Sequence, residues 1–230
     1  MKNGEKKWRQ KVNKQYSNEN CWYKEKCKDN CDTCVKYYVI KSLMQLSGIP
    51  ENLHHPINLK CSEQDRNSFR RLQEIKNDVD GFVEDGSSLY ICSNNTGNGK
   101  TSWSLKMMYK LFSLEWDVWG SIEPLGLFVY VPEFMIGLKD FNNPLPKAYL
   151  DNIKKVPLVI WDDIGTGTLS DYDYTQLLTY INIRQQAGLA NIYTSNLVTL
   201  DELSDKIGDK LASRIFNSSE IIELKGMDMR

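Results

Sequence analysis

The run Leu89-Tyr90-Ile91-Cys92-Ser93-Asn94-Asn95-Thr96-Gly97-Asn98-Gly99-Lys100-Thr101 joins two kinds of local structure. Four apolar residues of strand character run into a polar, glycine-bearing loop, and a helical pattern begins near Lys100. The order matters chemically. Small residues let consecutive backbone N–H groups curl around a phosphate, and a helix N-terminus adds positive potential. In the pattern G-x-x-x-x-G-K-[ST] the lysine reaches the β- and γ-phosphates and the hydroxyl ligates Mg²⁺. Lys100 and Thr101 stand at those positions. Asn94 replaces the first glycine, and asparagine tolerates left-handed backbone better than most residues, so the turn can survive. The candidate nucleotide cradle is Asn94, Asn95, Thr96, Gly97, Asn98, Gly99, Lys100, Thr101 and Ser102, with ATP and Mg²⁺ as the expected ligands.

Outward from this loop, short apolar runs alternate with helical segments. The strand candidates are Leu89–Cys92, Gly126–Val131, Leu158–Asp162, Asn191–Thr194 and Ile221–Lys225. Helices are predicted over Lys100–Leu114, Pro132–Asp140, Pro146–Lys154, Asp171–Ala187 and Asp209–Phe216. Such alternation argues for an α/β domain with a mostly parallel sheet flanked by helices. Ahead of it, Tyr38, Val39, Ile40, Leu43, Met44 and Leu46 form a helix-like apolar face that ends at Gly48 and Pro50. Ser62 could cap a helix in which Phe69, Leu72 and Ile75 share a face, with turns at Asp80-Gly81 and Asp85-Gly86. The expected organisation is a small N-terminal metal-binding domain over residues 1–50, a linker over 51–61 and the ATPase domain over 62–230.

The second half of the site is Leu158-Val159-Ile160-Trp161-Asp162-Asp163, an apolar strand ending in two carboxylates. Asp162 would hold Mg²⁺ through water, and Asp163 is placed to orient or activate the attacking water. Both belong at the carboxyl end of the strand, where ligands bind in parallel α/β sheets. A third strand leads to Asn196. Its side chain could bond the attacking water or the γ-phosphate, or it could simply turn the chain before Leu197.

The formal charge of -1 conceals an asymmetry. Residues 1–60 hold 12 Lys and Arg against 6 Asp and Glu, leaving 17 against 24 for the remainder. A basic head on an acidic body suggests two modules with different partners. The polar, basic start has no apolar core for a signal peptide, and no later run is long enough to span a bilayer, so no membrane partner is expected. The expected compartment is the cytoplasm of a bacterium, or of its host if the chain is phage-encoded. Cysteines in a reducing compartment are ligands or core residues rather than disulfides. Cys21, Cys27, Cys31 and Cys34 fall within fourteen positions, and zinc holds four thiolates tetrahedrally. An iron–sulfur cluster is the competing use of the same thiolates. In the head, Trp8, Trp22 and Tyr23 interleave with lysines, a pattern that suits single-stranded DNA or packing around the metal.

Asn95–Ser102, the step Asp162-Asp163-Ile164-Gly165, Thr194-Ser195-Asn196-Leu197, Leu211-Ala212-Ser213-Arg214 and the tail Gly226–Arg230 together resemble AAA+ helicase loaders of the DnaC/DnaI type, particularly phage versions. The likeness extends to the cysteine-rich head followed by Ser47-Gly48-Ile49-Pro50. It implies an AAA+ P-loop NTPase domain without the usual C-terminal helical lid. It further implies a zinc-binding head that contacts the replicative helicase, delivery of that helicase to single-stranded DNA, and a homo-oligomeric or helicase-templated assembly. The resemblance assigns Asn196 as sensor 1, Arg214 as an arginine finger acting on a neighbouring subunit, and Arg230 as a sensor-2-like arginine. The catalytic set is then Lys100, Asp162, Asp163, Asn196, Arg214 and Arg230, with Thr101 and Asp162 at Mg²⁺. Asp163 stands where many AAA+ proteins carry glutamate, and its shorter arm would slow hydrolysis. Two other readings fit the ATPase motifs: a transposition-helper ATPase of the IstB kind, or a nucleotide-sensing adaptor with little turnover.

Overall fold

In the computed structural model, residues 35–55, 57–114 and 123–226 are described. Five strands form one sheet: β1 (Ser88–Cys92), β2 (Gly126–Tyr130), β3 (Leu158–Asp162), β4 (Ala190–Ser195) and β5 (Glu220–Glu223). Their spatial order is β2-β3-β4-β1-β5, and every neighbouring pair is parallel. Parallel strands need crossover connections, which place helices on both faces. The first four strands are almost wholly buried, which is why they read as continuous apolar runs rather than alternating ones.

The period of two along each strand divides the core. Leu89, Ile91, Leu158, Ile160 and Ile192 face one side, under α1 (Val35–Leu46), α2 (Arg66–Asn77), α3 (Val79–Glu84) and α4 (Lys100–Phe112). Tyr90, Cys92, Val159, Trp161 and Tyr193 face the other. There they meet α5 (Val131–Lys139), α6 (Lys147–Ile153), α7 (Asp171–Gln186), α8 (Leu200–Ile207) and α9 (Asp209–Asn217). The result is a three-layer α/β/α sandwich.

Helix α1 belongs to this core: Ile40, Leu43, Met44 and Ile49 pack in the same cluster as β1 and α4. Its turn also shields the outer edge of β2, where the Phe128 N–H donates to the Ser47 carbonyl at 2.8 Å. A covered edge cannot template pairing with another chain. Of the predicted apolar face, Tyr38 and Leu46 are exposed.

Several local expectations are corrected. Helix α2 starts at Arg66 with Asp65 as its N-cap, so Ser62 is not the N-cap; its hydroxyl instead accepts the Asp65 N–H at 3.2 Å in the turn that leads into the helix. Asp80-Gly81 lies inside α3 rather than in a turn. The last strand spans Glu220–Glu223, because the N–H groups of Lys225 and Gly226 turn from the sheet to the Asp65 carboxylate. Helix α8, which the sequence reading omits, is closed at its start by a reciprocal capping box between Thr199 and Glu202.

Leu43→Ala should cost about 2–5 kcal/mol through lost burial and the cavity left behind. Tyr38→Ala on the exposed side of the same helix should stay within about 0.5 kcal/mol. Denaturant titration of the full chain distinguishes them, and equal midpoints would remove α1 from the core.

Candidate nucleotide-binding site

All five strands point the same way, so their carboxyl ends gather the loop after β1, the acidic end of β3 and the end of β4. The phosphate loop takes its shape from glycines: Gly97 has φ +72° and Gly99 φ +100°. Gly99 is also crowded, since a Cβ there would come within 3.0 Å of the Leu59 side chain. Asn94 does not adopt the left-handed conformation; among the described residues the non-glycine with positive φ is Asp163, at +62°. The turn is therefore made downstream of Asn94, and the first glycine of the pattern is dispensable here. Thr96 and Asn94 are exposed, and Gly97 and Ser102 are half-buried.

The lysine and hydroxyl lie at the opening of α4. Lys100 Nζ donates to the Asn95 carbonyl at 2.8 Å and approaches Asn98 Oδ1 at 3.4 Å. Thr101 Oγ1 donates to Asp162 Oδ1 at 2.8 Å. This meeting follows from strand periodicity: Asp162 continues the row of Leu158 and Ile160, the row that faces α4. Thr194 continues the corresponding row of β4, and its hydroxyl donates to the same Asp162 oxygen at 2.7 Å. Burial pushes the Asp162 pKa above the ordinary carboxylate range, opposed by the hydroxyls of Thr194 and Thr101 and by the Lys100 charge. A hydroxyl and a carboxylate converging at the foot of a phosphate loop suit the oxygen-rich, partly hydrated coordination of Mg²⁺.

The second carboxylate is held separately. Asn196 Nδ2 donates to Asp163 Oδ1 at 3.3 Å, and the Asp163 N–H donates to Thr194 Oγ1 at 2.9 Å. The structure thus brings together Lys100, Thr101, Asp162, Asp163 and Asn196. Thr194, which links both aspartates, is not among the residues the sequence singles out for the site. Its two-residue spacing from Asn196 on a strand running beside β3 was the available signal.

Arg214 stands apart. It lies near the end of α9, where its carbonyl accepts from Gln185 Nε2, in the last turn of α7, at 3.1 Å. That turn is at the amino-terminal edge of the sheet, opposite the chain's own phosphate loop. Arg230 and the cysteines Cys21, Cys27, Cys31 and Cys34 lie outside the described residues, as do Trp8, Trp22 and Tyr23. Among the described residues no cluster of His, Cys, Asp and Glu is arranged to hold a metal. Cys92 is buried, its thiol pushed up to about 12 by burial, and Cys61 is exposed. Of the lysines following β2, Lys139 pairs with Asp173 at 2.6 Å and Lys154 with Asp151 at 3.5 Å.

Two of the loop asparagines turn away from the phosphate side. Asn98 Nδ2 donates to the Leu224 carbonyl at 3.1 Å and also bonds Ser93 Oγ. Asn95 Nδ2 reaches the carbonyls of Lys225 and Gly226, each at 3.2 Å. The same short strap is gripped from behind by the buried Asp65 carboxylate. Its oxygens accept the N–H of Lys225 at 2.6 Å and of Gly226 at 2.9 Å, and the Ser62 hydroxyl at 2.8 Å. Gly226 has no alternative here, as a Cβ would sit 2.5 Å from Asp65 Oδ2.

No protein-family model and no curated protein matches this chain. Solved structures do. The DnaC helicase loader aligns with a TM-score of 0.59 at 19% identity, over 74% of this chain and 94% of that one. DnaI aligns with a TM-score of 0.59 at 22% identity, over 76% and 88%. AMPPCP-bound DnaA from Aquifex aeolicus aligns with a TM-score of 0.54 at 15% identity, over 72% and 48%. The chain shares the fold of these neighbours, a parallel five-stranded sheet flanked by helices, as expected for an AAA+ P-loop NTPase domain. Among the described residues no helix is long and apolar enough to cross a membrane.

Asp65→Asn would turn one acceptor into a donor facing a backbone N–H, and an unmet buried hydrogen bond costs about 1–3 kcal/mol. The expected outcome is faster amide exchange at Leu224, Lys225 and Gly226. Unchanged exchange there would mean that the strap is held by the sheet alone.

Proposed function

We propose that the chain is an ATP- and Mg²⁺-dependent helicase loader, which holds a replicative helicase through its cysteine-bearing head and delivers it to single-stranded DNA. The observation that carries the ATPase half is the contact of Thr101 with Asp162 at 2.8 Å beside an Asp163 held by Asn196. The loader half is supported by the fold's likeness to the DnaC helicase loader and to DnaI.

In this reading each residue has a distinct task. The backbone N–H groups from Gly97 to Thr101 cradle the phosphates, aided by the N-terminus of α4. Lys100 exchanges its hold on the Asn95 carbonyl for a phosphate oxygen. Thr101 and Asp162 would hold Mg²⁺, which would supply positive charge to offset that of the phosphates. Asp163 orients the attacking water and accepts its proton, while Asn196 aims the carboxylate. Arg214, remote from its own loop, acts on the γ-phosphate of a neighbouring copy, which makes hydrolysis depend on assembly. Arg230 as a second arginine and the four-cysteine zinc site complete the reading on sequence grounds. Because α1 shares the ATPase core, we draw the head's boundary ahead of Val35.

Lys100→Ala should abolish ATP binding or turnover. Arg214→Ala should bind ATP but lose assembly-dependent hydrolysis; normal turnover would make it a structural arginine. The decisive test mixes the chain with a replicative helicase, with and without ATP and Mg²⁺, and weighs the species by size-exclusion chromatography with light scattering. A stable complex lost on deleting residues 1–34 is expected. No complex in any nucleotide state would overturn the loader half and leave the ATPase half standing; filament formation on duplex DNA would then favour a transposition-helper ATPase.

A further inference from the structure

Thr194 is 2% exposed, and its one hydroxyl touches both aspartates of the site. Oγ1 accepts the Asp163 N–H at 2.9 Å and donates to Asp162 Oδ1 at 2.7 Å. A hydroxyl has a single proton. With a lone pair engaged by the Asp163 N–H, that proton is aimed at Asp162. The Thr194 carbonyl adds a third tie, accepting the Ile164 N–H at 2.9 Å. Asp163 between these contacts has φ +62°, a conformation that is costly for a non-glycine residue and persists only where its surroundings impose it. Two of those imposing bonds come from Thr194 alone.

The other hydroxyl on Asp162 has a different character. Thr101 sits on α4 at the phosphate loop, so its oxygen is the one placed to turn towards a cation. Thr194 sits on β4, behind the carboxylate, with its bonding already committed. It can hold Asp162 in one rotamer whichever way Thr101 turns.

Resting on the ATPase reading above, we infer that Thr194 is a positioning residue for Mg²⁺–nucleotide: it fixes the Asp162 carboxylate on the metal side and the Asp163 backbone on the water side as one unit. The spacing between the two acidic groups is then set by β4 rather than by the loop that carries Asp163. The hydroxyl is the active part. The γ-methyl contributes by restricting χ1 in the strand.

The test reads binding rather than turnover. A fluorescent ATP analogue is titrated into the full chain in excess Mg²⁺ and in EDTA, for wild type, Thr194→Val and Thr194→Ser. T194V keeps the shape and loses the hydroxyl. Its affinity in EDTA should stay within about twofold of wild type. The gain on adding Mg²⁺ should fall about 10–100-fold, the usual loss when an outer-shell partner of a metal ligand is removed. T194S should recover most of that gain. If T194V does not fold, Thr194→Cys takes its place: it matches serine in size and donates weakly, so it should lose the Mg²⁺-dependent gain that serine keeps. A valine or cysteine variant with the serine variant's Mg²⁺ dependence overturns the inference. A wild-type chain that binds no nucleotide overturns the ATPase reading itself, before any variant is compared.

Discussion

A carboxylate buried at the end of a strand has to be hydrogen-bonded or it will take up a proton. Asp162 is 7% exposed, and its Oδ1 accepts two hydroxyls, from Thr101 on α4 and Thr194 on β4. Neither partner could reach it from another fold position. Thr101 arrives because the helix after β1 crosses the face on which even-numbered residues of β3 point. Thr194 arrives because β4 lies beside β3 with Ile160 opposite Ile192 and Trp161 opposite Tyr193. The sheet order and the pleat are thus both needed to satisfy one acid. Moving either strand by one residue would turn the partner to the opposite face.

The phosphate loop has a second anchor, which the motif does not announce. The strap at Leu224, Lys225 and Gly226 presents its carbonyls to Asn95 and Asn98; the Leu224 N–H still donates to the Cys92 carbonyl of β1, and the N–H groups of Lys225 and Gly226 go to Asp65. From Lys225 onward the backbone N–H groups have lost their ladder partners, and the Asp65 side chain replaces them. The arrangement explains why two variable positions of the phosphate-loop pattern hold asparagine. Their amides bond the strap's carbonyls. The loop's conformation is tied in this way to a segment more than a hundred residues later.

Much of this was legible in the sequence because it is written in local pattern. Continuous apolar runs marked the buried strands, and the lysine–threonine pair and the double aspartate marked the site. What escaped depends on tertiary pairing. Arg184, near the end of α7, is fully buried. Its guanidinium donates to Asn191 Oδ1 and to the carbonyls of Ile153, Val156, Pro157 and Ala190, and burial lowers its pKa to about 10. No periodicity reveals that five carbonyl oxygens will converge on one side chain. Helix α8 is a different kind of miss, since Thr199 and Glu202 form a capping box ahead of Leu203 and Ile207, a signal that was present and readable. Thr194 was missed because a threonine in a strand is unremarkable until its neighbouring strand is known.

The placement of Arg214 follows from the same parallel architecture. Helices that return from the carboxyl edge of a parallel sheet end at its amino edge, and α9 ends there beside the last turn of α7. An arginine on such a turn is separated from the phosphate loop of its own chain by the height of the sheet. If it serves phosphoryl transfer at all, geometry requires the phosphate to belong to another copy. The acidic pair, by contrast, is complete within one chain, down to the hydroxyl that spaces its members. Nucleotide binding and hydrolysis would therefore have different structural requirements, the first met by a single sheet edge and the second only where two chains meet.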